Sequence, residues 1–190
     1  MSPARTNPSI LLLPGWLGSG EGHWQTRWEQ LHGHQRVEQD DWVWPRRGDW
    51  MARLEEVVLG VTVPGGPRCA LVAHSLGCHL VAAWAAHSRH TARVDCALLV
   101  APPDTDPALA PPNLHNWHPA PERNLPFRSH LLASSNDPFC AEPRAAALAA
   151  HWGSRYACLG PLGHLNAESG LGDWPLGQAI LQDLVRDDPA

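Results

Sequence analysis

The 190-residue chain contains no lysine: its 14 basic residues are all arginine, set against 19 acidic ones for a formal charge of −5. With that balance and no arginine cluster, neither a nucleic acid nor an anionic membrane surface is expected as a partner. Long apolar runs are missing too; the longest, such as Cys96 to Pro103, fall far short of the ~20 residues that a membrane-spanning helix needs. No apolar signal-peptide region follows Met1-Ser2-Pro3-Ala4-Arg5, and residues 1–8 are expected to form a disordered lead-in. No C-x-x-C pair occurs among the five cysteines, an odd number. Cys69, Cys78, Cys96 and Cys158 fall in apolar segments and Cys140 near a helix start, so buried free thiols in a reducing cytoplasm are expected. Phenylalanine (two), methionine (two) and tyrosine (one) are scarce, whereas tryptophan occurs ten times, mostly beside turns instead of in strands.

Hydrophobic residues make up 44% of the chain and charged ones 17%, the balance of a folded domain long enough to bury a core. No repeat or linker interrupts it, and residues 9–190 are expected to be one domain. Six strand-like segments are read at Ser9–Leu13, Arg36–Gln39, Cys69–Ala73, Val94–Ala101, Arg128–Ser134 and Ser154–Leu159. They alternate with helical patterns near Glu21–His32, Trp50–Leu59, Leu76–His87, Glu142–Trp152 and Trp174–Val185. The alternation predicts an α/β fold: a doubly wound, mostly parallel six-stranded sheet with helices on both faces. Right-handed crossovers give the order 2-1-3-4-5-6, with the switch point between the first and third strands. Trp24, Trp28 and Leu31, at i, i+4 and i+7, are expected to face inward, and Gly33 to end that helix. Asp49 reads as the cap of the next helix, with Leu54, Val57 and Val58 inward. Pro102 to Pro126 holds eight prolines and no apolar period, which excludes a regular helix or inner strand.

The chemistry centres on Ala73-His74-Ser75-Leu76-Gly77, where an apolar strand turns sharply into an alanine-rich helix. Small residues on both sides of a serine let strand and helix backbones approach and leave the hydroxyl exposed above the sheet. Small-x-Ser-x-Gly alone occurs by chance in many chains, so its partners decide. A serine nucleophile needs a base in reach and an acid to fix the base's tautomer. Asp137 follows the fifth strand in Ser135-Asn136-Asp137-Pro138, and His164 follows the sixth in Gly163-His164. The order Ser, Asp, His, each just past a strand, makes Ser75, Asp137 and His164 the expected catalytic set; Asp104, after the fourth strand, is the rival acid. An acyl-transfer oxyanion wants two N–H donors. Leu76, first in the new helix, offers one; Trp16, in the glycine-rich loop Pro14–Gly20, offers the other, with Leu17 as second choice. Gly15, Trp24, Trp44 and Trp117 are candidate pocket residues, though each tryptophan reads equally well as packing against a loop. His74 is expected beneath the turn and Cys78 in the core. No cofactor is expected: no phosphate-binding glycine fingerprint follows a strand, and His115 and His118 have no third ligand in view, so no metal either.

These stretches together resemble the small, capless α/β-hydrolases of the retinoblastoma-binding protein 9 and YdeN-like serine hydrolase family. The resemblance runs from residue 9 to about 185. It rests on Leu13-Pro14-Gly15-Trp16, Gly22-His23-Trp24, Asp41-Trp42-Val43-Trp44-Pro45 with Asp49-Trp50, and Val72 to Gly77. Ser134 to Pro138 and Gly163 to Asn166 complete it. Ala73 stands where the serine motif has its first glycine, which this group tolerates. The resemblance implies a serine hydrolase with Ser75 as nucleophile, Asp137 as acid and His164 as base, without a separate lid domain. The expected activity is hydrolysis of small esters, with amides as a second class. A protein-interaction module with little turnover, or an acyltransferase on the same serine, remains the alternative; the residues name no protein partner.

Overall fold

In the computed structural model, residues 8–187 are described; the expected lead-in lies outside them, Pro8 excepted. Six strands form one sheet in the order β2-β1-β3-β4-β5-β6. They are β1 (Ser9–Leu13), β2 (Gln35–Arg36), β3 (Cys69–His74), β4 (Val94–Val100), β5 (Arg128–Ala133) and β6 (Arg155–Cys158), and every pairing is parallel. Helices α1 (Trp24–His32), α2 (Arg47–Val61), α3 (Leu76–His87), α4 (Glu142–Trp152) and α5 (Pro175–Arg186) cover both faces.

Every residue of β3 and β4 is buried, as a parallel sheet sandwiched between helices requires. Side-chain alternation divides the interior in two. Leu13, Leu71 and Leu99 point to the face packed by Trp50 and Leu54 of α2 and Trp84 of α3. Leu12, Val72 and Leu98 point to the opposite face, under Trp24 and Trp28 of α1 and Leu181 of α5. The register pairs Leu13 with Ala73, Ala73 with Leu99, and Val100 with Leu132, so the C-terminal ends of these strands share one rim.

The tryptophans account for much of the architecture. Trp24, Trp28, Trp50, Trp84, Trp117 and Trp152 are all fully buried. Four of their indole N–H groups reach out of the core to hold loop carbonyls, Trp28 to Asp173 (2.7 Å), Trp50 to Asp41 (3.1 Å), Trp117 to Pro45 (2.8 Å) and Trp152 to Pro121 (2.9 Å), whereas that of Trp84 donates to the Glu55 carboxylate. One residue type thus supplies apolar volume and satisfies loop backbone at once, a pairing phenylalanine does not offer.

Several sequence expectations are corrected. Leu31 is 56% exposed: Trp24, Trp28 and Trp174 pack in one cluster, and the last turn of the nine-residue α1 runs past it. Asp49 does not cap α2. That helix starts earlier, after Arg46, with Asp49 inside its first turn, where its charge suits the helix dipole, and the Arg47 N–H donates to Asn116 Oδ1 (3.1 Å). β2 shrinks to two residues. The proline-rich segment is irregular except for a 3₁₀ turn at Pro112–Trp117, which buries Leu114 and Trp117. No helix among the described residues is long and apolar enough to cross a membrane.

Candidate active site

Ser75 sits between β3 and α3 with φ 54° and ψ −125°, a left-handed conformation that costs a non-glycine residue about 1–3 kcal/mol. Its backbone is held on both sides: the N–H donates to Val100 O and its carbonyl accepts from Cys78 N–H, each at 2.9 Å. Two glycines make the turn possible. A Cβ on Gly77 would collide with the Leu13 carbonyl oxygen, so only glycine lets α3 lie this close to the end of β1. A Cβ on Gly15 would lie 2.6 Å from Ser75 Cβ and 3.0 Å from its Oγ. Gly15, one of the candidate pocket residues, therefore packs directly against the serine. Ala73, where the serine motif has its first glycine, is fully buried.

His164 Nε2 lies 2.9 Å from Ser75 Oγ, and His164 Nδ1 lies 3.0 and 2.9 Å from the two carboxylate oxygens of Asp137. Nδ1–H donating to the carboxylate leaves Nε2 as acceptor for the serine hydroxyl, the tautomer this network assigns. Side-chain exposures of 9% for His164 and 3% for Asp137 keep this contact away from bulk water. Asp104 does not reach His164; it pairs with Arg144 at 3.5 Å.

The loops bearing the acid and the base are tied together. Asn136 Oδ1 accepts from Gly163 N–H (2.7 Å) and from the Ser134 hydroxyl (2.9 Å), whose Oγ accepts from Leu162 N–H (2.9 Å). Two buried rings support the base from beneath. His74 Nε2–H donates to the His164 carbonyl (2.9 Å), and Trp24 Nε1–H donates to the Leu165 carbonyl (2.8 Å). Burial, reinforced by the neighbouring His23 and His164, drives the His74 pKa well below its ordinary value, so the ring stays a neutral donor. His23, packed 4.6 Å from His74, is held near 3 chiefly by burial.

At the other side of the serine, the Trp16 N–H has no hydrogen-bond partner among the described residues, and Leu76 N–H opens α3. Leu17 N–H is taken by Trp42 O at 3.0 Å, which removes the second-choice donor. The Cys78 thiol is fully buried with its pKa pushed up, and burial pushes Cys140 up to about 12; both are poor nucleophiles.

The pocket tryptophans need correcting. Trp24 and Trp117 are buried structural residues whose indoles face the core, because each is drawn inward by aromatic packing on Trp28 and Trp50 respectively. Trp44 is 61% exposed and lies in a shallow groove of ≈ 360 Å³ with Asp41, Arg46 and Asp49 that Ser75 does not line. Phe139, which no periodicity singles out, instead packs edge-to-face on His164 with ring centroids 4.7 Å apart. Among the described residues no group of three His, Cys, Asp or Glu side chains is placed to hold a metal ion.

A family model described as serine hydrolase matches residues 10–183. Among solved structures, a hydrolase described as YdeN-like from Pectobacterium atrosepticum is similar with a TM-score of 0.82 and 27% identity, over 94% of this chain and 91% of that one. The ydeN gene product of Bacillus subtilis has a TM-score of 0.73 at 18% identity, over 95% of this chain and 100% of its own. Carboxylesterase CesB from Bacillus subtilis has a TM-score of 0.61 at 13% identity, over 95% and 85%. No curated protein sequence matches the chain.

Proposed function

The chain belongs to the serine hydrolase family and has the α/β-hydrolase fold, and from that premise we propose that it cleaves small esters, with amides as a second class, through an acyl-enzyme on Ser75. The observation that carries this reading is the unbroken chain of contacts from Ser75 Oγ through His164 to Asp137. As Oγ attacks the substrate carbonyl, His164 Nε2 takes its proton, and Asp137 holds the imidazole and balances its charge. The Trp16 and Leu76 N–H groups stabilise the oxyanion. His164 then protonates the leaving oxygen as its bond to carbon breaks, and the alcohol departs. Water, deprotonated by the same nitrogen, releases the acid and restores Ser75.

Short acyl groups are the expected substrates. Gly15 packs directly against the serine, and the segment between β4 and β5 forms only a 3₁₀ turn, Pro112–Trp117, as its regular structure. The structural resemblance to carboxylesterase CesB is in keeping with ester chemistry. Five free cysteines, four of them buried, support a cytoplasmic location. A fluorophosphonate probe tests the core of the proposal: it should label the wild type and fail on a folded Ser75→Ala variant. Folded wild-type protein that takes no label would point instead to a docking module. Faster turnover of long-chain than short-chain p-nitrophenyl esters would refute the acyl preference, and product analysis with added alcohols and amines separates hydrolysis from acyl transfer.

A further inference from the structure

We propose that Phe139 is a specificity-determining residue that selects the leaving group, favouring esters of apolar and above all aromatic alcohols. This rests on the acyl-enzyme reading above and adds to it the half of the substrate that departs first.

The starting observation is a large apolar side chain left 56% exposed beside the base. Phe139 packs edge-to-face on His164, with centroids 4.7 Å apart and an interplanar angle of 66°. Its backbone is fixed at both ends: the N–H donates to Asp137 Oδ1 (2.9 Å), and the carbonyl accepts from Asp104 N–H (2.8 Å). The ring's position is therefore set by the acid loop, and its exposed surface is available to whatever binds next to His164.

The surroundings of the imidazole leave one side for substrate. Asp137 occupies Nδ1, Ser75 stands at Nε2, and the buried His74 ring lies 4.9 Å away beneath. Phe139 is the exposed neighbour. In acylation the proton removed from Ser75 Oγ rests on Nε2 and passes to the leaving oxygen as the carbon–oxygen bond breaks. That oxygen must come within ~3 Å of Nε2, which brings its substituent over the open side of the imidazole, against the Phe139 ring. The acyl group, whose carbonyl oxygen turns toward the Trp16 and Leu76 N–H donors, lies on the other side. An aryl or benzyl alcohol would cover the exposed ring and pair with it edge-to-face or offset-stacked; ethanol would do neither.

The test varies the alcohol and the acid separately. For wild type, Phe139→Leu and Phe139→Ala, kcat/KM is measured for benzyl acetate and ethyl acetate, then for benzyl acetate and benzyl butyrate. Comparing ratios between variants cancels the intrinsic reactivity of each ester. The benzyl-to-ethyl ratio is expected to fall about fivefold or more in Phe139→Ala, with Phe139→Leu between the two, while the acetate-to-butyrate ratio does not change. Leu109→Ala, which removes a different exposed apolar side chain, should leave the benzyl-to-ethyl ratio at its wild-type value. Equal loss toward benzyl and ethyl esters overturns the inference, since Phe139 would then only prop His164; so does a change confined to the acetate-to-butyrate ratio. Wild-type protein that neither cleaves any of these esters nor takes a fluorophosphonate overturns the acyl-enzyme reading itself, and this inference with it.

Discussion

A single methyl group at Gly15 should disable the enzyme without unfolding it. The Cβ of Gly15→Ala would stand 2.6 Å from Ser75 Cβ, 3.0 Å from Oγ and 3.1 Å from Leu76 N. Carbon atoms in contact settle at about 3.5–4.0 Å, so relief requires the loop or the serine to move by roughly 1 Å. Either movement damages the same event. Shifting the serine breaks its 2.9 Å contact with His164, and shifting the loop carries away the neighbouring Trp16 N–H. Misplacement of about 1 Å costs on the order of 10²-fold, and loss of one oxyanion donor about 10²–10³-fold. A fall in kcat/KM of about 10²–10³ is expected, with overpacking lowering stability by only about 1–3 kcal/mol. The control lies in the same loop. A Cβ on Gly20 meets nothing within 4 Å, so Gly20→Ala should keep activity within about twofold. Fluorophosphonate labelling rates and turnover of p-nitrophenyl acetate read both variants, with urea unfolding to verify the fold. If Gly15→Ala labels as fast as Gly20→Ala, the close approach has no part in catalysis.

Asp137→Asn should lower kcat by about 10⁴-fold with little change in stability, while Asp104→Asn keeps activity within about threefold; equal losses in ester turnover would return Asp104 to consideration. His74→Phe leaves the His164 carbonyl without its donor and should cost about 1–3 kcal/mol along with slower labelling, whereas His74→Gln, which can still donate, recovers both; indistinguishable variants would show the bond to be idle. Stability should also fall in mild acid. His23 and His79 titrate near 3 and 4 in the fold against 6.5 ordinarily, chiefly through burial, and His74 is likewise lowered. The unfolded chain therefore binds more protons below pH 6.5, and each imidazole removes up to ~1.4 kcal/mol per pH unit as the pH drops toward its folded value. The urea midpoint should decline from pH 7.5 through 6.5 to 5.5, and a flat profile refutes the neutral buried rings.

The strand order could be read from the chain because handedness and alternation leave few topologies, and Ser75, Asp137 and His164 could be placed on one rim because each follows a strand. What escaped were relations between distant positions. A linear reading leaves Trp24 and Trp117 equally open as pocket walls and as packing against loops. Their roles are fixed by carbonyls 141 and 72 residues away, which no local period encodes. Leu31 satisfied the helical spacing and was still left outside, since spacing defines a face but not how far the partner extends along it. Asp49 resembled a cap because Asp favours that role, yet α2 begins earlier, where the Asn116 side chain receives the Arg47 N–H. Phe139 carried no signal at all: a single aromatic in a loop acquires meaning only when His164 arrives beside it from another strand.

The Trp24, Trp28 and Trp174 cluster has an optical consequence. Its ring centroids lie 4.7 to 5.9 Å apart, close enough for the indole transitions to couple, and Trp24 is bonded to the residue after His164. Circular dichroism in the strong far-ultraviolet indole band of the resting protein therefore reports on the base-bearing loop through the Trp24–Leu165 hydrogen bond. A displaced His164 would announce itself as a lost exciton couplet before any substrate is added.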